Sequence, residues 1–190
     1  MRLRWLRPLV LGLVASVASA TTVLRVSVEE LSRKADVIVR GRVEDVRVVT
    51  DAKDERRITT LVTLRVDVVL KGHATGPRLT LRLAGGRTDR WDATIPGTPV
   101  FVKGEEAVVF LEATSDGLKP SGLAEGKYSL RSDPATGRLR ATRSLDGAAV
   151  LVRHAGGLAA EGAVSHPDDD LDAGELLQRI GRGARTGGAR

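Results

Sequence analysis

The chain has 190 residues, with 30 Lys and Arg against 24 Asp and Glu, a formal charge of +6, and no cysteine. A chain this long buries about two-thirds of its unfolded surface and needs no covalent staple. The absent thiols exclude disulfides, thiolate catalysis, cysteine-ligated zinc and lipid attachment at an N-terminal cysteine.

Arg2, Arg4 and Arg7 form a basic start, residues 8–18 are an apolar run, and Ala18-Ser19-Ala20 supplies small residues at the spacing of a cleavage site. The run is shorter than the roughly 20 apolar residues that span a bilayer. It therefore predicts a removable export signal over residues 1–20, with Thr21 as the mature N-terminus. No later segment is long and apolar enough to insert in a membrane, so the expected location is periplasmic or extracellular. Without the three signal arginines the basic excess is small. The remaining aromatic side chains, Trp91, Phe101, Phe110 and Tyr128, are too few for the stacking surface of a nucleic-acid binder.

Ser27-Val28-Glu29-Glu30 matches a capping box, in which the Ser27 hydroxyl accepts from the Glu30 amide, and predicts a short helix to about Ala35. Residues 36–50 read as a strand with Val37, Val39 and Val43 on one face. The alternation slips at Glu44-Asp45, which predicts a β-bulge or bend. A charged loop, residues 51–57, leads to the cleanest period-2 pattern of the chain: Ile58, Thr60, Val62, Leu64, Val66, Val68 and Leu70 alternate with polar residues. Leu79, Leu81 and Leu83 repeat that pattern in a third strand.

Residues 85–104, with Trp91, Pro96, Pro99 and Phe101, form a long loop, and loops of that length are commonly functional. The unbroken apolar run Ala107 to Leu111 predicts the most buried strand, and Ser115-Asp116-Gly117 a turn. Further strands are expected near residues 128–130, 139–141 and 149–152, with turns at Asp133-Pro134 and Asp146-Gly147. Gly156-Gly157, Gly162 and His166-Pro167 read as a linker, followed by a short helix carrying Leu176, Leu177 and Ile180, and a disordered Gly/Arg tail over residues 182–190.

These elements predict a mostly β fold: a small antiparallel barrel over residues 21–153, with a short N-terminal helix and a C-terminal extension over residues 154–190. Closure would remove the sheet edges that invite aggregation. A two-sheet sandwich satisfies the same pattern.

Three segments carry a resemblance: Ala35-Asp36-Val37-Ile38-Val39-Arg40-Gly41-Arg42-Val43, then Leu64-Arg65-Val66-Asp67-Val68-Val69-Leu70-Lys71-Gly72, then Gly104-Glu105-Glu106-Ala107-Val108-Val109-Phe110-Leu111. Their order resembles the netrin-like, OB-fold module of tissue inhibitors of metalloproteinases, and is similar to a group of uncharacterised secreted bacterial proteins of the same plan. The resemblance covers residues 21–131 and implies an OB-type barrel. It also implies that the N-terminal amine and carbonyl, here of Thr21 with Thr22 behind it, could chelate the zinc of a secreted metalloprotease. In the family that position is a cysteine tied to the barrel, and here no cysteine exists.

The search for catalytic and metal sites yields little. His73, His154 and His166 show no i, i+4 pairing of the kind zinc helices need. Asp168-Asp169-Asp170, with Asp172 and Glu175, is a dense carboxylate cluster. It lacks the alternation and distal glutamate of a calcium loop, and reads as a solvated cap before a helix N-terminus. No nucleophile elbow is present, Ser121-Gly122 reads as a turn, and Glu105-Glu106 at a strand start would point to opposite faces. No cofactor, metal site or catalytic residue is therefore expected, although a hydrolase site built from dispersed residues stays open. The expectation is an exported, non-catalytic module that binds a protein partner, such as a secreted protease. Its candidate contact residues are Thr21, Thr22, Arg87, Arg90, Trp91, Pro96 and Phe101. Trp91, flanked by two arginines, is the natural anchor, unless it plugs the barrel.

Overall fold

The computed structural model describes residues 22–145, 149–154, 157–161 and 166–187. Residues 1–20, where an export signal is expected, Thr21, the turn expected at Asp146-Gly147 and the last three residues lie outside them. In chain order the elements are β1 (Thr22–Leu24), α1 (Val28–Lys34), β2 (Val37–Thr50), β3 (Ile58–Lys71), β4 (Arg78–Ala84), β5 (Glu106–Thr114) and β6 (Gly117–Pro120). A 3-10 turn (Leu123–Gly126) leads to β7 (Lys127–Ser132), β8 (Leu139–Thr142), β9 (Ala149–His154) and β10 (Gly157–Glu161). A second 3-10 turn (Pro167–Asp169) precedes β11 (Asp170–Asp172) and α2 (Ala173–Gly187).

α1 starts where the cap predicts: the Glu30 amide donates to Ser27 Oγ at 3.2 Å. Its C-terminal carbonyls are held by Lys71, whose ammonium donates to the Ser32 and Ala35 carbonyls, both at 2.7 Å, and to that of Arg33 at 3.0 Å. A cation at that end also opposes the helix dipole. β2 and β3 pair along their length, and the expected slip is present as a register shift between Val43 and Asp45. A second shift falls at Arg40/Gly41. There a Cβ on residue 41 would sit 2.1 Å from the Arg65 carbonyl oxygen, so only glycine fits.

Eight strands form one sheet in the order β11-β8-β7-β5-β2-β3-β4-β6, and a β5–β6 pairing closes β2-β3-β4-β6-β5 into a ring of five. The sheet is mixed rather than wholly antiparallel, because β6 meets β4 in parallel. β6 escaped the sequence reading: Gly117-Leu118-Lys119-Pro120 carries too few strand formers to stand out, yet it closes the ring. A separate three-stranded sheet joins β1, β9 and β10. β10 occupies residues that read as a linker; its strand state comes from antiparallel pairing with β9, which composition does not reveal.

Two cores result. Ala107, Val109 and Leu111 of β5 point into the ring with Val39, Val43, Val62, Leu64, Leu79 and Leu81. Val108 and Phe110 point the other way, with Ile38, Tyr128 and Leu130, into a layer roofed by Leu31 of α1 and Leu176 and Ile180 of α2. This is why Ala107 to Leu111 is unbroken: β5 is buried on both faces. α2 runs six residues into the stretch that read as a Gly/Arg tail and lies against α1. A Cβ at Gly183 would stand 2.6 Å from Ser32 Cβ and 2.7 Å from the Glu29 carbonyl oxygen.

Candidate functional site

The ring is weakest between β4 and β6, which meet through one pair, Leu81 with Leu118. The Gly85 amide donates to the Ile58 carbonyl at 2.9 Å, which sets the phase of the β3–β4 ladder. In an antiparallel ladder the peptide groups alternate sides, so those of Thr80, Arg82 and Ala84 face β6. By the same rule the Ser121 amide, bonded to the Phe110 carbonyl at 2.8 Å, leaves Leu118 and Pro120 facing β4. The next donor needed along β6 would be the amide of residue 120, and proline has none. The ladder stops there and the strands part.

A cleft of about 710 Å3 occupies this gap, within the range of ligand sites. Its walls come from the end of the β2–β3 hairpin, the last residues of β4, the β5–β6 hairpin, and Ile95, Thr98 and Pro99 of the long loop. Ile95 and Leu123 border it while 40% and 41% exposed. Leu123 has φ 58°, alone among the described non-glycine residues in the left-handed region, at a cost of about 1–2 kcal/mol. Strain of that kind concentrates at functional positions.

The seven residues singled out in the sequence are not brought together. Thr21 lies outside the described residues, and Thr22 stands beside Ala149 in the parallel β1–β9 pair. Trp91 is 43% exposed and does not plug the ring. It sits on a tight turn closed by the Arg87–Asp92 bridge, with its amide donating to Thr88 Oγ1 at 2.9 Å. Arg87 reaches Asp92 (Nη2–Oδ2 2.5 Å) and Arg90 reaches Glu55 (3.4 Å). The Thr94 hydroxyl and Arg87 hold the Asp92 carboxyl down at about 2. Pro96 is half-buried. Phe101 is a core residue, 7% exposed, with the Lys127 ammonium 4.8 Å above its ring. None of the six described residues among them lines the cleft; the loop contributes Ile95, Thr98 and Pro99 instead.

A second polar constellation, unseen in the sequence, lies under α2. The carboxylate cluster is a solvated cap only toward its end, where Asp172 Oδ1 accepts from the Gly174 amide at 2.8 Å; Asp168 and Asp169 are drawn into ion pairs. Asp168 is buried and bidentate with Arg179 (2.7 and 3.1 Å), Asp169 bridges Arg25 (2.7 Å) and Arg143 (3.0 Å), and Asp170 meets Arg140 at 2.8 Å. Arg179 also grips Glu29 of α1 at 2.8 and 3.0 Å. Arg143 makes an ion contact with Glu125, and both side chains are fully buried. Burial raises the Glu125 pKa above the usual carboxylate range, against the pull of Arg143 and Arg25. Hydrogen bonds from Arg179 hold Glu29 below its ordinary value. Nothing in Leu123-Ala124-Glu125-Gly126 marked Glu125 as buried. This constellation ties the chain ends to the sheet, and its carboxylates are spent on arginines.

Glu105 and Glu106 do serve different partners, Lys127 at 2.7 Å and Arg40 at 2.6 Å. His166 caps the second 3-10 turn, its Nδ1 accepting from the Asp168 amide at 3.1 Å. Ser121 is buried and donates to Glu112 at 2.6 Å. Among the described residues no three His, Asp or Glu side chains stand where they could share a metal ion, and no helix is long and apolar enough to cross a membrane. No protein-family model matches the chain, and no curated protein matches its sequence.

Proposed function

We propose that the protein is an exported, non-catalytic binding module on an OB-type, netrin-like barrel, and that it holds a protein partner in the cleft between β4 and β6. The supporting observation is the cleft itself: a built gap in an otherwise closed ring, bordered by exposed Ile95 and a strained, exposed Leu123. Exposed apolar side chains around a concave, partly polar site are the usual marks of a binding surface. Export rests on the basic start, short apolar run and small-residue site of residues 1–20.

The test is affinity capture from the native secretome on immobilised mature protein, comparing wild type, Ile95→Asp and Trp91→Ala. A partner retained by wild type and Trp91→Ala but lost on Ile95→Asp supports the cleft. A partner lost only on Trp91→Ala moves the surface to the 87–92 turn, and no saturable partner ends the reading.

A further inference from the structure

Two features of the cleft go beyond its apolar border and bear on what enters it. The first is main-chain. Because Pro120 offers no amide, the Arg82 carbonyl and both peptide groups of Ala84 face the gap with no strand beside them. Such a row is a template for an added strand. The second is charge. Arg57, Arg82 and Lys119 line the cleft, and among the described residues none of them makes an ion pair. Most other arginines of the sheet are matched to carboxylates: Arg40 and Arg42 to Glu106, Arg65 to Asp67, Arg78 to Glu44 and Arg140 to Asp170, with Arg131 of β7 the exception. Asp51 and Asp116 also line the cleft but reach none of the three cations.

We propose that the cleft takes an acidic, extended peptide segment of the partner as an additional β-strand. Its backbone pairs with the edge of β4 at Arg82 and Ala84. Its carboxylates meet Arg57, Arg82 and Lys119, and its apolar side chains lie on Ile95 and Leu118. Alternating side chains of a strand suit this division, since one face can carry charge while the other is apolar. The inference rests on the reading of the cleft as a protein-binding site, and adds the chemistry of what binds.

The experiment uses dye-labelled eight-residue peptides with blocked ends, followed by fluorescence anisotropy. One alternates Glu and Val, one alternates Lys and Val, and one is the Glu/Val peptide N-methylated at every second residue to remove its strand-pairing amides. Each is titrated against wild type, Arg82→Glu and the Arg57→Glu/Lys119→Glu double variant, with thermal melts to establish folding. The expected result is saturable binding of the Glu/Val peptide alone, weakened about tenfold or more by either charge reversal. Some affinity for the Lys/Val peptide should appear in the reversed variants. The proposal is overturned if the Glu/Val peptide does not bind below about 1 mM, if the Lys/Val or N-methylated peptide binds wild type equally well, or if charge reversal changes nothing. If Ile95→Asp still abolishes capture of the native partner while the acidic peptide fails, the cleft reading stands and the acidic strand falls. If both fail, the cleft is not the site.

Discussion

Arg143→Met tests whether the buried charges under α2 act as a unit. Arg143 and Glu125 are both fully buried, and Arg143 also bonds Asp169 and, at 3.3 Å, the Val26 carbonyl. Methionine keeps much of the volume but strands Glu125, and removing one partner of a buried pair costs about 3–5 kcal/mol. The pH dependence identifies the cause. Burial already lifts the Glu125 pKa, with Arg143 the chief opposing charge, so the variant lifts it further. A carboxyl whose folded pKa lies above its unfolded value binds a proton more tightly in the folded state. Its penalty is absent below the unfolded pKa, grows as pH rises through the window between the two values, and is complete above the folded pKa. The deficit of Arg143→Met should therefore shrink on acidification by up to about 1.4 kcal/mol per pH unit. Asp169, whose pKa is lowered, keeps Arg25 and titrates below that window. The assay is urea unfolding of wild type, Arg143→Met, Glu125→Gln and the double variant at pH 5 to 8. A deficit that is flat across this range, or that Glu125→Gln fails to relieve in the double variant, would refute the reasoning.

Two further outcomes follow from the roof over the second core. Gly183→Ala places a Cβ 2.6 Å from Ser32 Cβ and 2.9 Å from Glu29 Cα, so α1 and α2 must separate. The expected loss is about 1–3 kcal/mol, read as a lower Tm; an unchanged Tm would mean the helices do not cross so closely. A chain ending at Asp172 loses Leu176 and Ile180, worth about 1.5–3 kcal/mol each, together with Arg179 and its bonds to Glu29 and Asp168. Its urea midpoint should fall and its binding of an apolar dye should rise; a midpoint equal to wild type would show that α2 is dispensable.

What was legible in the sequence follows from how local each signal is. The Ser27 cap, the slip at Glu44-Asp45 and the alternation from Ile58 to Val66 are short-range patterns present in the structure, but beyond Val66 the alternation fails: Val68 is exposed and Leu70 packs against the second core. β6 and β10 were not legible, since their strand state is set by distant partners. In the long loop the sequence marks residues by type. Trp91 is conspicuous in sequence, whereas Ile95 and Pro99 line the cleft because β4 and β6 part beside them. That parting depends on Pro120 facing β4, a register fact that no reading of Lys119-Pro120-Ser121 contains. Carboxylates posed the converse problem: Asp168 and Asp169 looked solvated because the arginines that meet them lie as far as 144 residues away.

The placement of those arginines bears on how the chain divides. A boundary after residue 153 would separate Leu171, Ala173, Leu176 and Ile180 from Ile38, Val108, Phe110 and Tyr128, yet these form one continuous core. It would also separate Asp169 from Arg25 and Arg143, and Arg179 from Glu29, leaving buried charges without counter-charges. The closed ring carries its own core and the cleft, while the helical side needs the last strand and helix to exist at all. The two cores are thereby carried by opposite faces of β5, whose inward residues support the ring and whose outward residues seat the helices. Substitutions under α2 should lower stability with the β4–β6 gap intact, whereas Arg82→Glu should alter recognition with the melting temperature unchanged. A melting temperature that fell with Arg82→Glu as far as with Arg143→Met would show that the two faces are not independent.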